Sequence, residues 1–201
     1  MVKIAVILGT VRKGRFGEKP ARWIFSEIEK HKGVTAEFVD LRDYDLPLFD
    51  EAASPRYTAE PYKNETVRHW TKKIGAMDGF IVVSPEYNHA MAGVMKNAFD
   101  WVYNEWVKKP IGFVSYGTVG GAPAVEQMRM VAVEFQMVPV QHAVHLGWEL
   151  FLSMFKDEAP VDPARFAPVQ KSADTTIEQV LWWARLLKAA RSEDAQQAKA
   201  A

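Results

Sequence analysis

The chain has 201 residues, 25 basic and 25 acidic, is 48% hydrophobic and contains no cysteine. Zero net charge excludes the bulk basic field that holds nucleic acid or an anionic membrane surface. The lack of cysteine excludes disulfide, thiolate and CxxC chemistry, and makes a cytoplasmic address the default expectation.

The size suits one well-buried domain. The first strand is Lys3 to Leu8, nearly all apolar and β-branched, as a central strand buried on both faces should be. Its apolar start is short and lacks a cleavage region, so it reads as a strand and not a signal peptide. No apolar run approaches the ~20 residues that span a bilayer. Gly9 to Gly17 is a loop, followed by a helix over 18–30 with Ala21, Ile24, Phe25 and Ile28 at helical spacing. Val34 to Val39 is a second strand. Residues 41–63 form a long connection with Pro47, Pro55 and Pro61, of the kind that is functional or packs at an interface. Asn64 or Thr66 caps the next helix, whose Val67, Trp70, Ile74 and Met77 share one face.

The third strand runs from Phe80 to Ser84 and is followed by a Pro85 to His89 loop. A helix over 93–106 comes next, then a fourth strand, Ile111 to Tyr116. A glycine-rich loop, Gly117 to Gly121, leads into a helix over 123–135, and Val138 to Val144 is the fifth strand. Residues 146–172 read as irregular. A last helix spans 175–191, with Ile177, Val180, Leu181, Ala184 and Leu187 as its buried stripe. Residues 1–192 thus read as one domain and 193–201 as a flexible tail.

Strands alternating with helices predict an α/β fold, a three-layer α/β/α sandwich around a five-stranded parallel sheet. In strand order 2-1-3-4-5, the loops after the first and third strands flank the switch point where such sheets bind ligands.

Three loops at that edge carry candidate chemistry. In the first, Thr10 supplies a hydroxyl, Arg12 and Arg15 neutralise a dianion, and the turn through Gly17 brings backbone amides to a helix N-terminus, a ready anion site. It is neither GxGxxG nor GxxxxGK[ST], so a dinucleotide or Walker loop is not indicated; alone it also fits a solvated basic turn. In the second, Pro85 fixes the strand exit. Amides near Glu86 and Asn88 suit the heteroatoms of a flat ring, and Tyr87 lies against it. An ordinary turn capped by Asn88 fits this segment equally. His89 reads as a surface histidine rather than a base. In the third, Ser115, Tyr116, Gly117 and Gly121 allow close backbone approach to a ligand. His69, His142 and His145 lack metal-ligand spacing with a carboxylate, and no GxSxG elbow surrounds Ser84 or Ser115, so a metal centre and a hydrolase triad are not expected.

These motifs, Gly9-Thr10-Val11-Arg12, Ser84 to Asn88 with Gly93 and Lys96-Asn97-Ala98, and Ser115-Tyr116-Gly117 with Gly120-Gly121, resemble the NADPH-dependent FMN reductases over residues 3–145. The resemblance implies a flavodoxin-like fold and FMN as cofactor. By the same resemblance, Thr10, Arg12 and the turn through Gly17 hold the phosphate. Pro85 to Asn88 border the ring, and Tyr116, Gly117 and Gly121 flank its other side. Arg15 stands where a small hydroxyl residue is common in that family, and Gly17 where Asn is common. The implied reaction is ping-pong hydride transfer from NADPH or NADH through FMN to a small-molecule acceptor such as a flavin or quinone, with no catalytic side chain required. Arg15 or Lys13 is the expected partner of a 2′-phosphate. A flavodoxin-type electron carrier is the alternative; such carriers are typically strongly acidic, and this chain is not. A flavin-free nucleotide-binding scaffold is a third reading. The family and the aromatics Trp101, Tyr103 and Trp106, with Tyr44, Phe49, Tyr57 and Tyr62 of the long connection, imply a homodimer or homotetramer. Adjacent Trp182 and Trp183 cannot both face one core.

Overall fold

The computed structural model describes residues 1–57 and 62–200; Pro61 of the long connection lies outside them. The strands are β1 (Val2–Leu8), β2 (Val34–Asp40), β3 (Gly79–Tyr87), β4 (Ala90–Met91), β5 (Pro110–Tyr116), β6 (Val138–Pro139) and β7 (Val144–Leu146). Their order is β2-β1-β3-β5-β6, with β4 on β3 and β7 on β5. This is the expected flavodoxin-like order, with seven strands where the sequence predicts five. β1 pairs in parallel with β2 and β3, and β3 with β5.

Side-chain alternation divides the core. Ala5, Ile7, Phe80 and Val82 face helices α2 (Glu65–Gly75), α3 (Gly93–Asp100) and α4 (Ala122–Glu134). Ile4, Val6, Leu8, Ile81 and Val83 face α1 (Glu18–Glu29) and the C-terminal helix. A strand covered on both faces has no polar side, so its sequence reads as a continuous apolar run. Asn64 caps α2, accepting from the Val67 amide at 3.1 Å.

The two extra strands have local causes. β3 does not stop at Ser84: Asn88 and His89 both adopt positive φ (53° and 64°), the geometry of a two-residue hairpin turn. The chain folds back, and Glu86 and Tyr87 pair with Met91 and Ala90. The predicted fifth strand is split. Pro139 pairs with Ile111 and Val144 with Val114, so five steps of the outer strand span three of β5, and the outer strand bulges away over Gln141 and His142.

The helix expected over 93–106 ends at Asp100. Trp101, Val102, Tyr103 and Trp106 are all buried, and one face of a helix cannot bury three consecutive residues. Trp70, Phe80 and Phe99 pack around Trp106 with ring centroids 4.7–6.3 Å apart. The Trp101 Nε1 donates to the Pro47 carbonyl at 2.7 Å, and Phe49 and Tyr62 pack edge-on against its ring. These aromatics therefore complete the domain's own core. This corrects the expectation that Trp101, Tyr103 and Trp106 form an exposed contact surface. In the connection Tyr44 is buried too, while Tyr57 is exposed.

Residues 146–172 are irregular only in part, over 155–162. They hold α5 (Trp148–Met154) and a short 3-10 helix, Pro163–Val169, whose Phe166 stacks on Trp23 at 4.3 Å. The last helix, α6, runs from Gln170 to Ala200, longer at both ends than the 175–191 expected. Lys108 pairs with Asp194 beyond the predicted end. Trp183 packs against the core and Trp182 is exposed, as adjacency requires.

Candidate active site

The carboxyl ends of β1, β3 and β5 converge on a cavity of about 360 Å³. Its walls are residues 12–16, Pro85 to Tyr87, Tyr116 to Thr118 and the α5 face carrying Trp148, Phe151 and Phe155. A second, more open cavity of about 670 Å³ shares Glu86, Tyr87 and Thr118 and adds Asn88, His89 and Val119.

The first loop is held from behind. The Gly9 amide donates to the Val83 carbonyl at 2.8 Å. Thr10 is buried, and its hydroxyl lies 3.0 Å from the Tyr87 hydroxyl, tying the first loop to the second. Arg42, after β2, donates to the carbonyls of Val11 and Arg12. Arg15 folds inward: its guanidinium donates to the Thr10 carbonyl at 2.9 Å and forms a two-pronged pair with Asp40. Burial pushes the Asp40 carboxyl up, but hydrogen bonds from Arg15 and the Arg42 amide more than offset this and hold it below the usual range. Arg15 thus lines the cavity with its charge already neutralised. The sequence reading has the same side chain meet a dianion or a 2′-phosphate.

What remains open is anion-binding in character. The amides of Lys13, Gly14, Arg15 and Phe16 meet no acceptor among the described residues. The N-cap of α1, Gly17, makes no side-chain cap bond; its backbone bonds the Tyr116 hydroxyl. Arg12 and Lys13 line the same cavity without an ion pair among the described residues. Gly14 has positive φ (63°) and open space where a Cβ would stand. Dipole, free amides and two cations suit a phosphate. The aromatic wall beyond them suits a flat ring. The residues present therefore fit FMN.

The remaining candidates divide into lining and support. Pro85, Glu86, Tyr87, Tyr116 and Gly117 line the main cavity, and Asn88 the second. Gly17 gives room to Tyr116, whose hydroxyl would lie 2.6 Å from a Cβ there. Burial, and next the neighbouring Tyr87, push the Tyr116 phenol far above its ordinary pKa, so it stays neutral. Ser115 is fully buried; its hydroxyl donates to the Gly120 carbonyl at 2.7 Å and lies 2.8 Å from His145 Nδ1. It fastens the glycine loop and does not line the cavity. Gly121 (φ 77°) starts α4, and a Cβ there would come within 2.7 Å of Ser115.

Asp40, Arg42, Phe16, Thr118 and the α5 aromatics escape the sequence reading. For α5 a signal exists: Trp148, Phe151 and Phe155 stand at i, i+3 and i+7. Trp148 and Tyr116 both stack on Phe151, with interplanar angles of 17° and 9°.

Comparison with known proteins agrees with this geometry. The family model for NADPH-dependent FMN reductases matches residues 2–149. The chain belongs to that family. It is 34% identical to an NAD(P)H-dependent FMN reductase of Schizosaccharomyces pombe, over 81% of this chain and 80% of the relative. A quinone reductase of Escherichia coli is 29% identical over 66% of this chain and 70% of its own. Among solved structures, the flavoenzyme NAD(P)H:(acceptor) oxidoreductase FerB of Paracoccus denitrificans superposes with a TM-score of 0.65 at 22% identity, covering 90% of this chain and 97% of that one. Family membership makes this chain an NAD(P)H-dependent, FMN-using oxidoreductase. No helix among the described residues is long and apolar enough to cross a membrane.

Proposed function

We propose that the main cavity holds FMN with its phosphate on the turn from Arg12 to Phe16 and its ring between Pro85–Tyr87 and Tyr116–Thr118. The observation that carries this reading is the turn itself: four uncommitted amides, a helix N-terminus and two free cations open into an aromatic-walled cleft. Bound FMN supplies reversible two-electron chemistry, taking a hydride from a nicotinamide and passing electrons to an acceptor. The chain's part is to bind and orient. Arg12 and Lys13 hold the phosphate, Tyr87 and Thr10 lock two loops together, and the second cavity leaves room for nicotinamide and acceptor in turn.

A small flavin or quinone is the proposed acceptor, in a ping-pong scheme. Steady-state rates at several fixed quinone concentrations should give parallel double-reciprocal lines, and anaerobic mixing with NADPH or NADH should bleach the 450 nm region. Protein that binds FMN but is bleached by neither nicotinamide would be an electron carrier. Residues 1–192 act as one catalytic domain in this reading, in the cytoplasm, where reduced nicotinamide is available.

A homodimer or homotetramer also remains our proposal, on different residues from those the sequence suggests. Trp182 and Leu186 on α6 and Met130 and Val133 on α4 are large apolar side chains, each 48–68% exposed. Light scattering at micromolar concentration tests it, and a mass of 22.7 kDa with activity intact would make the monomer the working unit.

A further inference from the structure

Reducing a quinone to a hydroquinone takes a hydride and a proton, and the proton needs a donor. The groups lining the main cavity that have an exchangeable proton to offer are few, and most are committed. Arg15 is bound to Asp40, and the Tyr87 hydroxyl is hydrogen-bonded to Thr10. The Tyr116 hydroxyl sits against Gly17, with its ionisation suppressed by burial. Arg12 and Lys13 belong to the anion turn.

Glu86 is the exception. Its side chain is nine-tenths buried, and its Oε2 is enclosed without a hydrogen-bond partner among the described residues. An enclosed, unpartnered carboxylate oxygen is costly to keep unless something else uses it. Glu86 also lines both cavities. Its other oxygen, Oε1, lies 3.6 Å from Nδ1 of His89, whose side chain is 84% exposed. The hairpin creates this pair: two consecutive positive-φ residues turn His89 back beside Glu86. One oxygen of Glu86 is dry, the residue lines the cleft, and His89 at the other end of the pair is in water.

We propose that Glu86 donates the proton to the acceptor and that His89 returns a proton to Glu86 from solvent. This rests on the cleft being the site of NAD(P)H-dependent acceptor reduction. NAD(P)H leaves as NAD(P)⁺, having given up a hydride with two electrons. The quinone gains that hydride equivalent and one proton from the Glu86 carboxyl, forming the hydroquinone. The resulting carboxylate takes a proton from the His89 ring, which recovers one from water. No further oxidant or reductant is needed.

The discriminating experiment compares two acceptors in the FMN-loaded protein: 1,4-benzoquinone, which needs a proton, and ferricyanide, which takes electrons only. In Glu86→Gln, which keeps shape and backbone, the ratio of quinone to ferricyanide turnover should fall at least tenfold, and Glu86→Asp should recover part of it. His89→Asn should lower the same ratio less, with added imidazole restoring it. A readout free of turnover accompanies these: benzohydroquinone titrated into oxidised holoprotein, followed by flavin absorbance, should bind about tenfold more weakly to Glu86→Gln, because its O–H loses the carboxylate. Equal losses with both acceptors, or an unchanged ratio, would overturn the proton role of Glu86. Failure of imidazole to restore His89→Asn would overturn the relay. Wild-type protein that reduces neither acceptor would instead overturn the proposed function on which the inference rests.

Discussion

The two ends of the sheet carry polar clusters of similar size and opposite completeness. At the amino edge, Asp78 accepts from the Lys3 amide at 2.9 Å, from Lys188 at 2.7 Å and from Arg191 at 2.8 Å. Beside it Lys109, buried, donates to the carbonyls of Ile74 and Gly75, the last turn of α2. Every charge there has a partner, and the cluster joins the first strand, α2 and α6. At the carboxyl edge, amides 13–16, Arg12, Lys13 and one oxygen of Glu86 have none among the described residues. A folded chain tolerates unsatisfied groups where a ligand completes them. The comparison separates charge that holds a fold from charge that waits for a ligand.

The largest break in this contrast is expected at the glycine loop. Gly121→Ala places a Cβ at positive φ within 2.8 Å of the Tyr116 amide and 2.7 Å of Ser115 Cβ. Strain and overlap together should cost about 3 kcal/mol and displace the ring-flanking loop. Urea unfolding and retention of FMN on a desalting column should both report it, since support and site coincide there.

Asp78→Asn should separate the two ends. It removes a largely buried carboxylate and leaves Lys188 and Arg191 facing each other without it. Their partial exposure lets water screen them, so the expected cost is about 2 kcal/mol rather than the 3–5 of a fully buried pair. FMN affinity should stay within twofold of wild type, as the cluster lies at the other end of the strands. A variant that lost FMN at unchanged stability would contradict the division.

How far the sequence reveals this division depends on range. The strand order and the three loops were legible because each loop follows an apolar run whose character is local. The site of Arg15 was not: its position in the first loop suggested a phosphate ligand, and only the β1–β2 pairing, which sets Leu8 beside Asp40, brings its acceptor close. Ser115 similarly reads as ligand-facing until the bulged outer strand brings His145 beside it. The aromatics after α3 suggested a surface because a helix was assumed; once the helix stops at Asp100, all of them turn inward. The hairpin that sets His89 beside Glu86 is a two-residue turn without glycine, the usual cue for such turns.

Arg12→Ala is the mirror of the Asp78 variant. Losing one charge-assisted phosphate contact should weaken FMN by about 1.5–3 kcal/mol, while the unfolding midpoint of FMN-free protein stays put, because that side chain has no partner to lose. Equilibrium dialysis measures the first and urea titration the second. Unchanged affinity would shift the phosphate contact to Lys13.

The mildest test uses pH, because the two edges titrate in opposite senses. Burial, with Arg191 adding to it, lowers the Lys109 pKa from 10.5 to about 8. Between those values the unfolded chain binds a proton that the folded one releases, so this group's contribution to stability rises with pH from about 8 to 10.5. Tyr116 acts the other way. Its folded pKa is raised, so the stability it contributes is complete below its unfolded value of 10 and is lost as pH climbs through the region above. From pH 8 to 9.5 Tyr116 does not yet respond, so the Lys109 contribution can be read from its own variant. Wild type should therefore gain on Lys109→Met over that interval by at most about 1.6 kcal/mol, roughly 3–6 °C in Tm, and Tyr116→Phe should leave this slope intact. Above pH 10 the Tyr116→Phe protein should lose stability less steeply than wild type. If Lys109→Met kept the full rise between pH 8 and 9.5, the amino edge would owe its stability to the Asp78 ion pairs alone, and Lys109 would act only as a neutral cap on α2.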